Sequence, residues 1–539
     1  MLRRSFIRVL AGSALFSWAG IRPHSATAKN VAFAHGVASG DPLSDRVILW
    51  TRVSGLTSAS VEVRWMIASD LDMHAIVNEG VTHTGAERDY TVKVDADKLP
   101  AGQTFWFQFD VDGVRSPIGR TRTPARGSLD AAKFAVVSCA NYPFGYFHAY
   151  REIANRDDLD AVIHLGDYIY EYGMGEYATQ KAEELGRVPE PPTEALTLDD
   201  YRCRHAQYKA DADSLAMHAR HPLIAVWDDH EVSNESWRAG ALNHQEDEGS
   251  WANRRDGAVQ AYLEWMPIRV AHERGHTKIF RSFRFGDLLS LIMLDTRFYG
   301  RDLQPDIGEE ATAESVAAAT EDPERRMLGR RQESWLRRTL AESANATWQL
   351  IGQQVLISPL RSADLEPLLD LELESMLSPE ELAAYVEQSK SNPPMLLDTW
   401  DGYPAARQDF LKDLYEYASN PVVLSGDLHT PLAGNLVPSG HRNPVAVEFM
   451  TGSVTSPGFG EYLPERKPGA LSDATLELNQ DLSYMETARR GWMCLAVTRE
   501  ACTAEWHLLD TVHAKKYSST VDKRLAVRSG RISEGLYEG

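Results

Sequence analysis

Cysteine, basic residues and long apolar runs are all in short supply in this sequence, and each shortage excludes a class of protein. Four cysteines in 539 residues cannot form a disulfide scaffold. Acidic residues (77) outnumber basic residues (56), and a net charge of −21 argues against a general nucleic-acid binder, which needs a basic surface. No apolar run reaches the ~20 residues that span a bilayer. The remaining composition, 43% hydrophobic and 25% charged, is typical of a globular protein with at least two domains.

Residues 1–28 have the features of an export signal. Arg3 and Arg4 precede an apolar stretch, residues 9–20, that is too short to span a bilayer, and Ala26-Thr27-Ala28 offers small residues for cleavage. We therefore predict a twin-arginine signal peptide, the twin-arginine export machinery as a partner, and a periplasmic or secreted location. That route carries folded proteins, often with the cofactor in place, so a metal loaded before export is expected.

The rest of the chain divides into two regions with different sequence patterns. Residues 29–126 contain short alternating apolar runs at 47–53, 61–65 and 104–109, which predict an all-β sandwich domain. Residues 127–539 alternate apolar strands with helical segments, predicted at 147–155, 198–219 and 329–344, and this order predicts an α/β catalytic domain. Residues 171–192 and 359–394 are predicted insertions that wall or gate a substrate site, and residues 523–539 are predicted to cover its entrance.

Four apolar strands of the second region each end in residues that bind metals. Residues 134–137 lead to Cys139, 161–165 to Asp167 and Tyr170, 223–227 to Asp229 and His230, and 422–424 to Asp427 and His429. One strand that ends in Asp usually means a helix cap or a turn. Four such strands are hard to explain as caps, because a cap needs one oxygen and no adjacent histidine.

This set of ligands suits two or more cations bridged by a carboxylate. Carboxylates favour hard cations, whereas a thiolate and a phenolate together favour a trivalent, Lewis-acidic ion such as ferric iron. Such a site lowers the pKa of water and clamps a phosphoryl group for in-line attack.

The motifs resemble the PhoD-type alkaline phosphatase/phosphodiesterase family, within the calcineurin-like and purple-acid-phosphatase-like metallophosphoesterases. The resemblance covers nearly the whole chain and includes residues 35–42, 294–297 and 398–403. It implies a double-sheet sandwich flanked by helices, preceded by a small immunoglobulin- or fibronectin-like sandwich. It also implies an exported metal-dependent enzyme that hydrolyses phosphate monoesters or diesters by attack of a metal-activated hydroxide on phosphorus.

The resemblance also implies roles for individual residues. Asp167 matches the bridging carboxylate, Tyr170 the iron-bound phenolate and Cys139 the cysteine ligand of iron. Asp229, Asp427 and His429 match further metal ligands, with ferric iron and calcium as the cofactors. Other divalent cations are an alternative. His230 matches the histidine that touches the phosphate or protonates the leaving oxygen.

Several of these residues have a second interpretation. Cys139 alone would be a buried small hydrophobe, and Asp228 favours a supporting role behind the ligands. Asn234 suits a metal or phosphate ligand and a helix cap equally. Arg297 suits bidentate binding of a phosphate, which is the catalytic role predicted here, or a structural salt bridge. Asp72-Met73-His74 has the spacing of a first metal motif but lies in the predicted β-sandwich, so it is not assigned to the site.

Two functional alternatives stay open from the residues alone. One is a phospholipase D-like or nucleotide phosphodiesterase at the same site. The other is a non-catalytic protein that binds metal or phosphate. The sequence also leaves open whether Cys494 and Cys502, on either side of a predicted turn, form a disulfide or two buried thiols.

Overall fold

The structure, a computed structural model, describes residues 31–56, 59–273, 276–305 and 313–539. The predicted signal segment, residues 1–28, lies outside the described residues. None of the described helices is long and apolar enough to cross a membrane.

Short strands form the N-terminal region, and β1 and β2 are buried along most of their length. They are β1 (Val37–Leu43), β2 (Arg46–Arg52), β3 (Val61–Ala68), β4 (Ile76–Thr84), β5 (Thr91–Ala96), β6 (Thr104–Val111), β7 (Val114–Arg115) and β8 (Gly119–Arg122). Strands β3, β4, β6, β7 and β8 form one sheet. A separate apolar core joins it to β1, β2 and β5 and includes Val47, Val63, Val92 and Phe107. The predicted N-terminal β-sandwich is confirmed.

Apolar strands alternate with helices through the rest of the chain. The strands are β9 (Ala131–Val137), β10 (Ala161–His164), β11 (Pro222–Ala225), β12 (Ser236–Trp237), β13 (Gly240–Ala241), β14 (Ala271–Glu273), β15 (His276–Lys278), β16 (Arg281–Phe285), β17 (Leu289–Met293), β18 (Trp348–Gly352), β19 (Pro421–Ser425), β20 (Leu432–Leu436), β21 (Ala446–Met450), β22 (Leu482–Met485), β23 (Arg490–Thr498), β24 (Ala501–Leu509), β25 (Ser519–Arg528) and β26 (Tyr537–Glu538). The helices are α1 (His148–Ala154), α2 (Ala182–Leu185), α3 (Leu198–Ala210), α4 (Ala212–Arg220), α5 (Trp251–Trp265), α6 (Ala313–Thr320), α7 (Arg330–Ser343), α8 (Pro379–Ser389), α9 (Pro404–Tyr417), α10 (Phe459–Tyr462) and α11 (Ala470–Leu478).

Two large sheets enclose the main core. Within the described residues, one sheet has ten strands in the order β26-β25-β24-β23-β9-β10-β11-β1-β2-β5, and the other has seven in the order β16-β17-β18-β19-β21-β20-β22. Phe134 of the first sheet packs edge-to-face on Phe285 of the second, with ring centroids 5.0 Å apart. A second apolar cluster fixes α7 and α9 to the other face of the seven-stranded sheet. The predicted α/β double-sheet sandwich flanked by helices is confirmed.

The N-terminal sandwich shares a sheet with the region that follows it. Strand β1 pairs in parallel with β11, with Ser39 opposite Pro222 and Gly40 opposite Leu223. The sequence did not indicate this pairing, because periodicity shows that a segment is a strand and does not show its partner. The domain boundary at residue 126 stays a prediction.

Two details of the predicted elements are wrong. The helix predicted over 198–219 is two helices, because Asp211 has the extended ψ of 135° and its side chain accepts from the backbone of Asp213 and Ser214, which begins α4. Residues 523–539 do not cover the site. They form the outer strands β25 and β26 of the ten-stranded sheet.

The question of the two cysteines has a clear geometric answer. The predicted turn joins β23 and β24, but the register places Cys494 opposite Glu505 and Cys502 opposite Val497. Both are buried free thiols. The two sulfurs are out of register, so the interpretation as two reduced thiols is the one that fits.

Candidate metal centre

The strand ends bring the predicted ligands to one edge of the sandwich. In the ten-stranded sheet β9, β10 and β11 are parallel, and His164 lies opposite Val137 on one side and Ala225 on the other. The segments that begin with Cys139, Asp167 and Asp228 therefore leave the sheet side by side. The backbone N–H of Cys139 donates to Gly166, and that of Ala140 donates to Asp167.

The seven-stranded sheet supplies the other predicted ligands from its strand β19. The segment after β19 carries Asp427 and His429 to the same edge. Gly426 packs so closely on Ser138 that a Cβ at position 426 would lie 2.7 Å from the Ser138 Oγ. A glycine at this position thus allows the strand ends of the two sheets to meet.

Left-handed backbone conformations aim these side chains inward. The φ angle is 61° at Cys139, 53° at Asp167, 69° at Asp427 and 58° at His429. Residues other than glycine adopt this region at a cost, and such residues concentrate at functional sites. Four of them at one edge indicate that the local geometry serves the position of the side chains.

The candidate donor atoms form adjacent groups that share Asp167. One atom each from Cys139, Asp167 and His429 lies within 4.8 Å of the others. The same limit holds for a second group, made of Asp167, Asp228, Asp229 and Asp427, and for a third, made of Asp167, Asp229 and His230. Asp167 is the common member, as a bridging carboxylate must be.

Tyr170 faces the first group. Its hydroxyl lies 3.0 Å from Asp167 Oδ2 and 3.1 Å from His429 Nε2. His429 Nδ1 donates to the Pro457 carbonyl at 2.7 Å, so the Nε2 lone pair points at the group. Burial lowers the pKa of His429 to about 3, which keeps the ring neutral. This is the tautomer and charge that a metal ligand requires.

The carboxylates are crowded enough to need countercharge. Burial and the neighbouring acids raise the pKa of Asp167 and Asp427 well above the usual range, and burial raises that of Asp228 to about 6. Asp167 Oδ1 is buried and has no hydrogen-bond partner among the described residues. A free buried oxygen between sulfur, phenol, imidazole and further carboxylates fits a site for cations.

Arg297 supplies part of that countercharge. It is fully buried, and its guanidinium pairs with Asp228, with Asp427 at 2.9 Å and with Asp398 at 3.4 Å. It is not among the residues that line the cavity described below. The geometry therefore favours the salt-bridge interpretation over direct contact with a phosphate.

His230 has a partner that the sequence analysis missed. Its Nδ1 lies 2.7 Å from the Oε2 of Glu171, which is completely buried. Burial opposes a charged ring, but Glu171, Asp229 and Asp167 outweigh it and raise the pKa of His230 well above its usual value. The Glu171 contact leaves Nε2 as the free ring nitrogen. The two residues are 59 positions apart, and no local pattern links them.

Glu231 is a second buried acid without a predicted role. Its carboxylate accepts from the backbone N–H groups of Asp167 at 3.1 Å, Tyr168 at 2.6 Å and Asp228 at 2.6 Å. It therefore ties the ends of β10 and β11 together. The sequence signal was present, because Glu231 directly follows His230 in the same motif.

The remaining predicted positions are also located. Asn234 lines the cavity, and its backbone N–H donates to Glu171 at 2.7 Å. Asp72 and His74 lie with Asp70 on a surface loop of the N-terminal sandwich, where Asp70 accepts from the backbone of His74. That loop takes no part in the lining of the cavity.

A cavity of about 400 Å³ opens onto the centre. Asp167, Asp229, His230, Asp427 and His429 are all on its wall. Both predicted insertions contribute, the first through Tyr172 and Tyr177 and the second through residues 362–394.

Known proteins are similar to this chain in sequence and in architecture. The sequence profile of the PhoD-like phosphatase family matches residues 134–506, and that of its N-terminal domain matches residues 19–125. Alkaline phosphatase D of Bacillus subtilis (strain 168) is 34% identical over 498 residues, which cover 89% of this chain and 78% of that protein. The chain belongs to the PhoD-like phosphatase family. A solved structure of PhoD superposes with a TM-score of 0.79 and 30% identity, over 94% of this chain and 92% of that one.

Membership fixes the general activity. The chain is a metal-dependent phosphoric ester hydrolase, and its donor clusters lie where the strand ends of the family fold meet. The alternative of a non-catalytic binding protein is thereby set aside.

Proposed function

We propose that this chain hydrolyses phosphate monoesters and diesters at a centre of two or more cations that share Asp167. The observation that carries the proposal is the position of Asp167, whose carboxylate belongs to every donor group at this edge of the sandwich. A carboxylate shared by adjacent cations is the feature that two-metal phosphoester hydrolysis requires.

The donor atoms favour different ions in the two halves of the centre. Cys139, Tyr170 and His429 with Asp167 favour ferric iron, because thiolate and phenolate suit a Lewis-acidic trivalent ion. Asp229 and Asp427 with Asp167, and Asn234 at its edge, favour calcium, which prefers oxygen. When bound, these cations activate a water molecule for attack on phosphorus and neutralise charge on the phosphoryl oxygens.

The protein supplies the proton for the leaving alcohol. Glu171 favours the protonated ring of His230 and Nε2 is free, so His230 can donate a proton to the oxygen that departs. Glu171 fixes the ring through Nδ1 and keeps the proton donor oriented. Arg297 acts behind the ligands, where its contacts hold Asp228 and Asp427 in place.

Export through the twin-arginine route is the second part of the proposal. It is supported by the order of Arg3, Arg4, the apolar stretch and Ala26-Thr27-Ala28 in the sequence. The periplasm or the medium is then the place of action, and the metals are loaded before export.

Elemental analysis of protein exported by its own host, paired with assays of p-nitrophenyl phosphate and bis-p-nitrophenyl phosphate, tests the proposal. In Asp167→Asn, the rate of hydrolysis of both esters should fall by roughly 100-fold or more, and the bound metal should be lost. Asp72→Asn, in the surface group of similar composition, is the matched control and should change neither. Hydrolysis that survives in Asp167→Asn would overturn the shared-carboxylate centre.

A further inference from the structure

The cavity has two chemically different walls. Metal-binding residues form one wall. The other is mainly apolar and aromatic and comes from residues 362–396 and from the segment around α10, with Leu365, Leu377, Tyr385, Pro394, Phe459 and Leu463 among its side chains. Ser362, Gln388 and Ser389 add polar groups to it. A phosphate at the first wall leaves its ester group against the second.

The apolar wall is fixed before any substrate binds. Leu365, Leu369, Leu382, Leu463 and Leu471 form a separate buried cluster behind it. Backbone hydrogen bonds join the two segments, with Met376 N–H donating to Glu461 at 2.8 Å and Arg466 N–H to Leu368 at 2.9 Å. Helix α8 begins at a capping box on Ser378 and packs Leu382 and Val386 into the same cluster.

Lysine and arginine side chains are missing from the part of this cavity that the structure describes. Arg297 lies behind the carboxylates, and all of its nitrogens face acids. A polyanionic ester would therefore place its additional charges against Asp398, Glu235 or apolar carbon, where nothing compensates them.

We propose that the apolar wall is a subsite for an uncharged hydrocarbon ester group, alkyl or aryl, and that it selects such phosphoesters over polyanionic ones. The inference rests on the proposed function, since the cations position the phosphate. Its source is the juxtaposition of a preformed apolar wall and a phosphate-binding centre in one cavity of about 400 Å³.

Binding of n-alkylphosphonates to the metal-replete protein tests the subsite without requiring hydrolysis. Titration calorimetry of the methyl to hexyl series should show Kd falling by two- to fourfold per methylene. Fourfold is about the limit for complete burial of a methylene group. A six-carbon phosphonate that ends in a carboxylate should bind no better than methylphosphonate. A flat series would overturn the subsite.

Parallel assays separate this inference from the proposed function. Hydrolysis of p-nitrophenyl phosphate together with a flat phosphonate series overturns the subsite alone. Absence of both hydrolysis and phosphonate binding in metal-replete protein overturns the proposed function and the subsite with it.

A matched pair of variants localises the effect. Tyr385→Asp introduces a charge at the rim of the apolar wall, where Tyr385 is 47% exposed. In this variant the ratio of the Kd of methylphosphonate to the Kd of hexylphosphonate should fall at least tenfold. Tyr415→Asp makes the same change on α9, at a residue that is 64% exposed and outside the cavity lining, and should leave the ratio as it is. Equal ratios in the two variants would overturn the assignment to this wall.

Discussion

Replacement of Glu171 by Gln tests the proton donor most directly. Gln preserves the size of the side chain and can still accept from His230 Nδ1, but it removes the negative charge that lies 2.7 Å away. A charge about 4 Å from another is worth about 4 kcal/mol at an effective dielectric constant of ~20. Its loss should lower the pKa of His230, because the charged ring loses this attraction.

The expected effect depends on the leaving group. An alkyl alcohol needs a proton as it leaves, and general acid catalysis is worth about 10²–10⁴-fold. Because less of His230 is protonated in Glu171→Gln, kcat for glycerol phosphate should fall by roughly 10²-fold. p-Nitrophenolate is a stable anion, so kcat for p-nitrophenyl phosphate should fall less than tenfold.

The assay is phosphate release from both esters across a pH series. Glu194→Gln is the control, because Glu194 accepts from the same Asn243 amide as Glu171 and pairs with Arg254 rather than with His230. It should change neither kcat by more than about threefold. If Glu171→Gln slowed both esters equally, the proposed role of Glu171 in proton donation would be refuted.

Three further predictions follow from single contacts. Tyr170→Phe should abolish a visible charge-transfer absorption of the iron-loaded protein, and a colourless active wild type would contradict iron at this position. Arg297→Met leaves Asp228 and Asp427 without their cation, so chemical denaturation of metal-free protein should show a loss of about 3–5 kcal/mol, smaller when metals are bound. His205 is fully buried, and burial lowers its pKa to about 3, so its neutral form stabilises the fold above pH 6.5 and this stability is lost as the pH falls toward 3. Between pH 7 and pH 5 the free energy of unfolding should fall by about 2 kcal/mol from this residue, and His205→Phe should lack that part of the fall when both proteins are denatured at the two pH values. Equal pH dependence in the wild type and the variant would contradict this.

The strand ends were predictable because two simple rules meet there. A buried parallel strand is a continuous apolar run, and parallel strands leave a sheet at the same edge. Cys139, Asp167 and Asp229 follow three such runs, so their convergence could be expected from the sequence. The structure brings them together with Asp427 and His429, and their roles as ligands stay predictions.

The supporting contacts were not predictable in the same way. Glu171 reaches His230 across 59 residues, and Arg297 meets Asp427 across 130. Such contacts depend on how two sheets pack, and no local spacing encodes them. The break at Asp211 was missed for a different reason. An N-cap residue inside a continuous helical pattern looks like any polar surface position until its ψ angle is known.

Bound cations would offset both the backbone strain and the crowded negative charge at this edge of the sandwich. Four of the predicted ligand residues adopt left-handed backbone. Glu231 accepts hydrogen bonds from the backbone amides of Asp167, Tyr168 and Asp228, which fixes the ends of β10 and β11. The same geometry forces Asp167, Asp228, Asp229 and Asp427 together, and the buried guanidinium of Arg297, which pairs with Asp228 and Asp427, cannot alone balance four carboxylates. Cations would therefore stabilise the folded centre as well as act on substrate, so metal binding and correct folding of these segments should be coupled. A protein of this kind gains from being loaded where it folds, which gives the predicted export of a folded chain a physical reason.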